Sequence, residues 1–485
     1  MHQSKFIYFL KKLSNKELKR FDEFLQSPFH NKSDQILHLF HYVREFHPTY
    51  ESPKLKLVTV FEHLFPTKPF NAFRIRNIMS KALHLLEQFL IQLTFANDEL
   101  YQKRLLLKYF FDQKDDKYFD KTREDLSKQL AAIEYRDHDY YYQRHLIEQI
   151  RYTYTIIHQN RAVKTNLKEV IDTLDVSYLL ARVRYTCSAI NSGKVTAAQY
   201  KVQELLKLLA GFSDLIETEP LLTIYYRLLK LLSGEGGVEE YDSLKQLLIS
   251  HNNLMTKHEY EYRQIYAFML NHQIRQMRVK QGSWDEVLNI YYAMLDKGFL
   301  FVNGKYVIPA NINNIVHINL LQGYFDEAAA FLDKYIAHIE PSLRDDVYNF
   351  NLSKVYFYRK DYRSAIRLTN TFSFLDVFYH VQSKILLLKS YYESDDIDSL
   401  DTSEYVTEAL SRYVNRSKAI SSQNKNLYRR FISFYKKLVK LKYAELLQSK
   451  NLTNINVSNM QDKIRGSATA EKSWLLKKVK TFVNE

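Results

Sequence analysis

Apolar side chains recur along almost the whole chain at intervals of three and four residues, the spacing that lines one face of an α-helix. The first clear start is Ser14-Asn15-Lys16-Glu17, an S-x-x-E capping box, followed by Leu18, Phe21, Phe24 and Leu25 on one face. Pro28 ends that helix, because proline cannot continue the hydrogen-bond ladder. A second helix is expected from Ser33 to before Pro48, with Ile36, Leu37, Phe40 and Val43 inward, and a third over roughly 53–64. From Asn71 a longer pattern runs through Phe73, Ile75, Ile78, Met79, Ala82, Leu83, Leu86, Phe89, Leu90 and Leu93. Residues 1–97 therefore read as a compact helical cap.

Residues 98–280 read as helical hairpins with short polar breaks near 114–117, Asn160, 191–194, Ser213 and 234–237. The tyrosines of this part, Tyr140 to Tyr142, Tyr152 and Tyr154, are expected to pack with their hydroxyls toward the surface. Residues 281–404 hold a repeat. Gly282-Ser283-Trp284-Asp285-Glu286-Val287 returns as Gly323-Tyr324-Phe325-Asp326-Glu327-Ala328 and as Lys360-Asp361-Tyr362-Arg363-Ser364-Ala365. This resembles the inter-helix turn of the tetratricopeptide repeat, in which an aromatic residue and a small residue three further on let two helices approach. Trp284, Phe325 and Tyr362 are accordingly expected to be buried wedges. Asn303-Gly304 between two short apolar runs predicts a small β-hairpin near 299–308, since a type I′ turn needs positive φ at both central residues. Residues 405–485 form a basic helical end.

Composition narrows the class. Ten glycines and eight prolines in 485 residues fall far below the usual share, roughly 12% together, which excludes collagen and turn-rich all-β folds. Aromatics at 14% supply a large core and argue against disorder. Cys187 is the single cysteine, so a disulfide framework or a multi-cysteine metal cage is excluded and a cytoplasmic location is expected. The apolar run Phe6 to Leu10 is too short for a signal peptide, and no run approaches the length of a membrane span. The net charge of +14 is uneven: residues 1–110 carry +7, residues 405–485 carry +12, and the remainder −5. Basic ends suggest an anionic partner or end-to-middle contact between molecules, or serve as solvated surface.

Five stretches carry a wider resemblance: LSNKELKRFDEFLQSPFHNK at 13–32, PFNAFRIRNIMSKALHLLEQFL at 69–90, FVNGKYVIPANINNIV at 301–316, YNFNLSKVYFYRKDYRSAI at 348–366 and YYESDD at 391–396. Together they resemble an uncharacterised family of tetratricopeptide-like helical-repeat proteins of Bacteroidota. The resemblance implies an intracellular α-helical repeat protein and brings no catalytic residues with it.

Candidate chemistry is sparse. His38, His41 and Glu45 share a helix face at a spacing that could hold a divalent ion, but surface or interface histidines explain them better. Cys187 sits on an apolar helical face and reads as a small buried hydrophobe. No nucleophile elbow, dinucleotide loop or phosphate loop appears, so neither enzymatic activity nor a cofactor is expected. Arg74, Arg76, Asn77 and Lys81 open the helix after a short turn, a weak helix-turn-helix likeness. Two basic stripes remain as partner contacts: Arg429, Arg430, Lys436, Lys437 and Lys440 opposite Phe431, Phe434, Leu438 and Leu441, and Lys477 with Lys478 beside Trp474. The sequence thus predicts an all-α, tetratricopeptide-like solenoid with an N-terminal cap and one hairpin insertion. Its expected role is a scaffold or adaptor binding a protein or peptide in a concave groove. The alternative is a nucleic-acid-associated protein using its basic ends.

Overall fold

A computed structural model describes residues 1, 3–158, 165–192, 201–251, 259–372, 374–447 and 455–482. Among the described residues there are 24 α-helices and one two-stranded sheet, so the fold is all-α. The chain divides into two compact units, Met1–Ala181 and Arg182–Glu485.

In the first unit, α1 (Lys5–Leu10), α2 (Asn15–Gln26), α3 (Asp34–Arg44) and α4 (Leu57–Leu64) all pack against the long α5 (Ala72–Ala96). Their apolar stripes close into one core running from Phe6 to Phe89, with Phe21, Phe40 and Leu86 fully buried. The capping box forms as the sequence predicts: the Glu17 amide donates to Ser14 Oγ at 3.3 Å, and the Ser14 amide donates to Glu17 Oε2 at 2.7 Å. The expected helix over 53–64 differs slightly, because Pro53–Leu55 forms a separate 3₁₀ turn before α4. Beyond α5 come α6 (Glu99–Gln113), α7 (Asp116–Ala131), α8 (His138–His158) and α9 (Leu167–Asn191), the last crossing into the second unit. Tyr140, Tyr141 and Tyr154 are buried, Tyr142 is exposed, and Tyr154 stacks on Phe119 at 3.7 Å between ring centres.

The second unit continues with α10 (Val202–Ala210), α11 (Ser213–Thr218), α12 (Pro220–Ser233), α13 (Val238–Ser250), α14 (Glu259–Arg278) and α15 (Trp284–Asp296). The hairpin follows, then α16 (Pro309–Gln322), α17 (Phe325–Tyr335), α18 (Pro341–Tyr358), α19 (Tyr362–Thr371), α20 (Val377–Glu393), α21 (Ile397–Arg416), α22 (Ser422–Leu446), α23 (Val457–Gly466) and α24 (Lys472–Thr481). Successive helices from α14 to α22 pack on their neighbours, and α18 also touches both α16 and α20. The breaks expected at Asn160 and Lys194 lie outside the described residues.

The three repeat turns share one closure. Lys280, Gly323 and Lys360 adopt left-handed conformations. The next amide, of Gln281, Tyr324 and Asp361, donates to the carbonyl five residues back, at 3.0, 2.9 and 2.9 Å. This is the Schellman geometry, which satisfies carbonyls that a helix end leaves open. The expected wedges need correction. Trp284, Phe325 and Tyr362 are only partly buried, while Val287, Ala328 and Ala365 three residues on are fully buried. Each aromatic is the first residue of its helix, so it covers the end of the hairpin rather than entering it; Tyr362 meets Phe357 edge-on at 5.7 Å.

The β-hairpin is present but shorter than expected. β1 (Phe301–Val302) pairs antiparallel with β2 (Tyr306–Val307). Asn303 and Gly304 both have positive φ, and the Lys305 amide closes the turn on the Val302 carbonyl at 3.1 Å. Lys305 is an extra residue in the loop, so Val302 faces Tyr306. Phe299 and Leu300 are buried ahead of the strand and pack instead with the helices, Phe299 meeting Tyr266 at 5.6 Å.

Candidate binding cleft

Helices α16, α18 and α20 line a cleft of about 200 Å³ within the second unit. Side chains one helical turn apart stack into rows that face it: Asn313 and His317 on α16, Phe350, Lys354 and Tyr358 on α18, Phe378, Gln382 and Leu386 on α20. An amide chain ties the three helices together. Asn351, fully buried, donates through Nδ2 to Asn313 Oδ1 at 2.6 Å, and Asn313 Nδ2 donates to the Tyr379 hydroxyl at 2.8 Å. Beside it, Asn314 Nδ2 donates to the Tyr291 hydroxyl at 3.0 Å.

The floor of the cleft is charged. Lys389 is 7% exposed and donates to Glu471 Oε2 at 2.6 Å; its ammonium also lies 4.8 Å from the Phe357 ring centre and 5.8 Å from that of Trp474. Glu471 immediately precedes α24. Burial pushes its carboxyl upward, but Lys389, His317 and Lys354 outweigh burial and hold it below the ordinary carboxylate range. Lys354 is partly buried; the one acceptor its ammonium reaches among the described residues is the Asn313 carbonyl, at 3.5 Å, and it lies 5.6 Å from the Phe350 ring centre. Burial and the Lys389 charge bring its pKa down to about 7, with Glu471 acting in the opposite sense. His317, at the rim, is likewise lowered by loss of hydration and by Lys354 and Lys389. Two amines and one carboxylate thus share a small, partly dry space that can take up an anion and a proton together.

α24 is fastened to α20 from the same side. Trp474 Nε1 donates to Glu393 Oε1 at 2.8 Å and Lys478 Nζ to Glu393 Oε2 at 2.6 Å. Among the candidate partner contacts, Lys478 therefore already makes an internal ion pair. The rest of the basic stripe is more open: Arg429, Arg430, Lys436, Lys437, Lys440 and Lys477 are all exposed, with Phe431, Phe434, Leu438 and Leu441 buried beneath. Arg429 donates to Asn415 Oδ1 at 2.7 Å, Arg430 to the Ala468 carbonyl at 2.9 Å, and Lys436 pairs with Glu408. Among the described residues, Lys437, Lys440 and Lys477 have no carboxylate partner.

The other candidates have local explanations. His41 Nε2 meets Asp22 Oδ1 at 2.7 Å beside Arg44, so it belongs to an ion-pair group rather than to a set with His38 and Glu45. Cys187 is fully buried, burial raises its thiol pKa, and its sulfur meets the Tyr225 carbonyl at 3.8 Å. Arg74 lies over the Phe65 ring at 4.2 Å. Asp137, His138 and Asp139 bring three possible ligand atoms within 4.8 Å of one another, and nothing else there points to an ion.

Sequence reasoning missed the cleft, because polar residues at helical spacing look like a solvated face. One signal was present. The run Ile385 to Tyr392 is apolar on every side of a helix, which places it in the interior. A lysine inside such a run, Lys389, must therefore find a partner.

No helix among the described residues is long and apolar enough to cross a membrane. Comparison with family models, with curated proteins and with solved structures finds no match.

Proposed function

We propose that the chain is a non-enzymatic, cytoplasmic helical-repeat adaptor whose second unit binds a protein or peptide partner in the cleft between α16, α18 and α20. The observation that carries this reading is the alignment of three alternate helices, α16, α18 and α20, whose inward rows form one lining of mixed polar, cationic and apolar side chains. Stacked hairpins of a tetratricopeptide-like solenoid leave the first helix of each pair free for partners in this way. The Schellman-closed turns at 280, 323 and 360 support the repeat assignment.

The alternative, a nucleic-acid-associated protein, draws on the exposed stripe around Lys437, Lys440 and Lys477. Affinity capture separates the two. Tagged wild-type protein, a cleft variant (Asn314→Trp with Gln382→Glu) and a stripe variant (all three lysines to Gln) are compared with and without nuclease. A partner that survives nuclease and is lost only with the cleft variant supports the adaptor reading. Partners lost to nuclease and to the stripe variant, with the cleft variant unaffected, would replace it with the alternative.

A further inference from the structure

Resting on the cleft as the binding surface, we propose that it is a carboxylate-binding site for an acidic peptide segment. Lys354 is the cation that the ligand carboxylate neutralises, and Glu471 is a resident carboxylate that already satisfies Lys389 and holds the affinity down.

The argument is one of charge and donors. An ammonium has three N–H donors, and the one acceptor shown for Lys354 among the described residues is the Asn313 carbonyl at 3.5 Å, the far limit of a hydrogen bond. Its charged neighbours are His317 from α16, Lys389 from α20 and Glu471 before α24, with the Tyr358 hydroxyl one turn along its own helix. Two ammonium groups facing one carboxylate leave the site one counter-charge short when both are protonated. A partly dry cation without a counter-ion is costly, and a paired one is not.

A single carboxylate balances that charge, whereas a phosphate dianion overshoots it. Asn314 and Gln382 line the same space; one N–H of each goes to a tyrosine hydroxyl, of Tyr291 at 3.0 Å and of Tyr428 at 3.3 Å, which leaves the amide oxygens to accept from a peptide backbone. Phe350 and Phe378, 6.5 Å apart between ring centres, give an apolar wall that suits a peptide side chain and does nothing for a bare ion. The ligand class that uses all three features is a peptide bearing a carboxylate, supplied by its C terminus or by an acidic side chain.

Fluorescence anisotropy of labelled tetraglutamate on the full chain tests this. Its C-terminally amidated form separates the two carboxylate sources, C-terminally amidated tetraglutamine serves as the carboxylate-free control, and inorganic phosphate is the competitor. Tetraglutamate should bind, and Lys354→Met should weaken it by at least about tenfold. Glu471→Gln should tighten it by a similar factor. Above pH 7 the affinity should fall toward tenfold per pH unit as Lys354 loses its proton. Equal binding of amidated tetraglutamine, an unchanged affinity in Lys354→Met, or complete displacement by phosphate at matched charge would overturn the proposal.

Should Glu471→Gln disturb packing at Lys389, acylation of Lys354 by a succinimidyl ester in the wild-type chain provides a second readout. Tetraglutamate should protect that amine, and an unprotected amine would count against the site. Failure here with the nuclease-resistant partner still lost from the Asn314→Trp, Gln382→Glu variant would reject the carboxylate chemistry while leaving the adaptor reading intact.

Discussion

Single buried polar groups decide much of the second unit. Asp346 is 3% exposed, and its carboxylate accepts from the Leu375 amide at 3.0 Å and the Asp376 amide at 2.8 Å, pinning the entry to α20. Asp346→Ala leaves two amides without acceptors and should cost about 2–4 kcal/mol in a urea denaturation series. Asp346→Asn retains one acceptor oxygen and should lose roughly half as much; equal losses would show that volume, not hydrogen bonding, matters there. Lys354 works in the opposite direction. Its folded pKa of about 7 lies below the unfolded value of 10.5, so between those values the unfolded chain holds more protons. Stability from this group therefore rises as pH increases from 7 toward 10.5 and is lost below 7. Lys354→Met removes the penalty and should raise the denaturation midpoint at pH 6, by about 1–2 kcal/mol in stability. It should also flatten the slope between pH 7 and 9. A variant less stable than wild type at pH 6 would contradict the desolvated state assigned to this amine.

At the scale of helices and turns, the sequence was legible where a local rule sufficed. Ser14 and Glu17 form their box, the Asn303-Gly304 turn forms with positive φ, and the apolar stripe from Ile75 to Phe89 is buried against α1 to α4. The aromatic wedges were misread because periodicity assigns a residue to a helix face and says nothing about distance from its end. Trp284, Phe325 and Tyr362 fall on the first helical position, where the ring is only partly buried. Phe325→Ala should consequently cost only about 1–2 kcal/mol, less than full core burial would give. Ala328→Leu, at a position with no exposed surface, should cost about as much or more through overpacking. Lys360 occupies the left-handed position that Gly323 fills in the preceding turn. Lys360→Gly should stabilise by about 1 kcal/mol, and Gly323→Ala should destabilise by a similar amount. A neutral result at both in thermal denaturation would remove the shared turn as a feature of the repeats. The cleft was illegible at this scale because it is assembled from helices that do not follow one another in the chain, each polar for a reason visible only in its neighbours.

Over the whole molecule the basic ends pose the remaining question, and pairing reduces how much of that charge is free. Of the C-terminal stripe, Lys436 is held by Glu408 and Lys478 by Glu393, while Arg429 and Arg430 bond to uncharged oxygens. Removing Lys436 or Lys478 would mix a binding effect with a structural one, most of all at Lys478, whose partner Glu393 is largely shielded from water. Lys437, Lys440 and Lys477 give the cleaner test, being exposed and without a carboxylate partner among the described residues. Their replacement by Gln together should change stability by no more than about 0.5 kcal/mol per site. If the stripe binds nucleic acid, the log–log salt slope for a DNA duplex should fall by roughly 0.9 for each lysine that contacts a phosphate. If the cleft is the binding surface, the triple variant should bind labelled tetraglutamate as the wild type does, with only a small change in on-rate from the lost net charge. Titrating both ligands against the same variant assigns the +12 of the C-terminal region. A reduced salt slope marks it as a nucleic-acid surface, and an unchanged profile for both marks it as the charge that keeps the chain in solution.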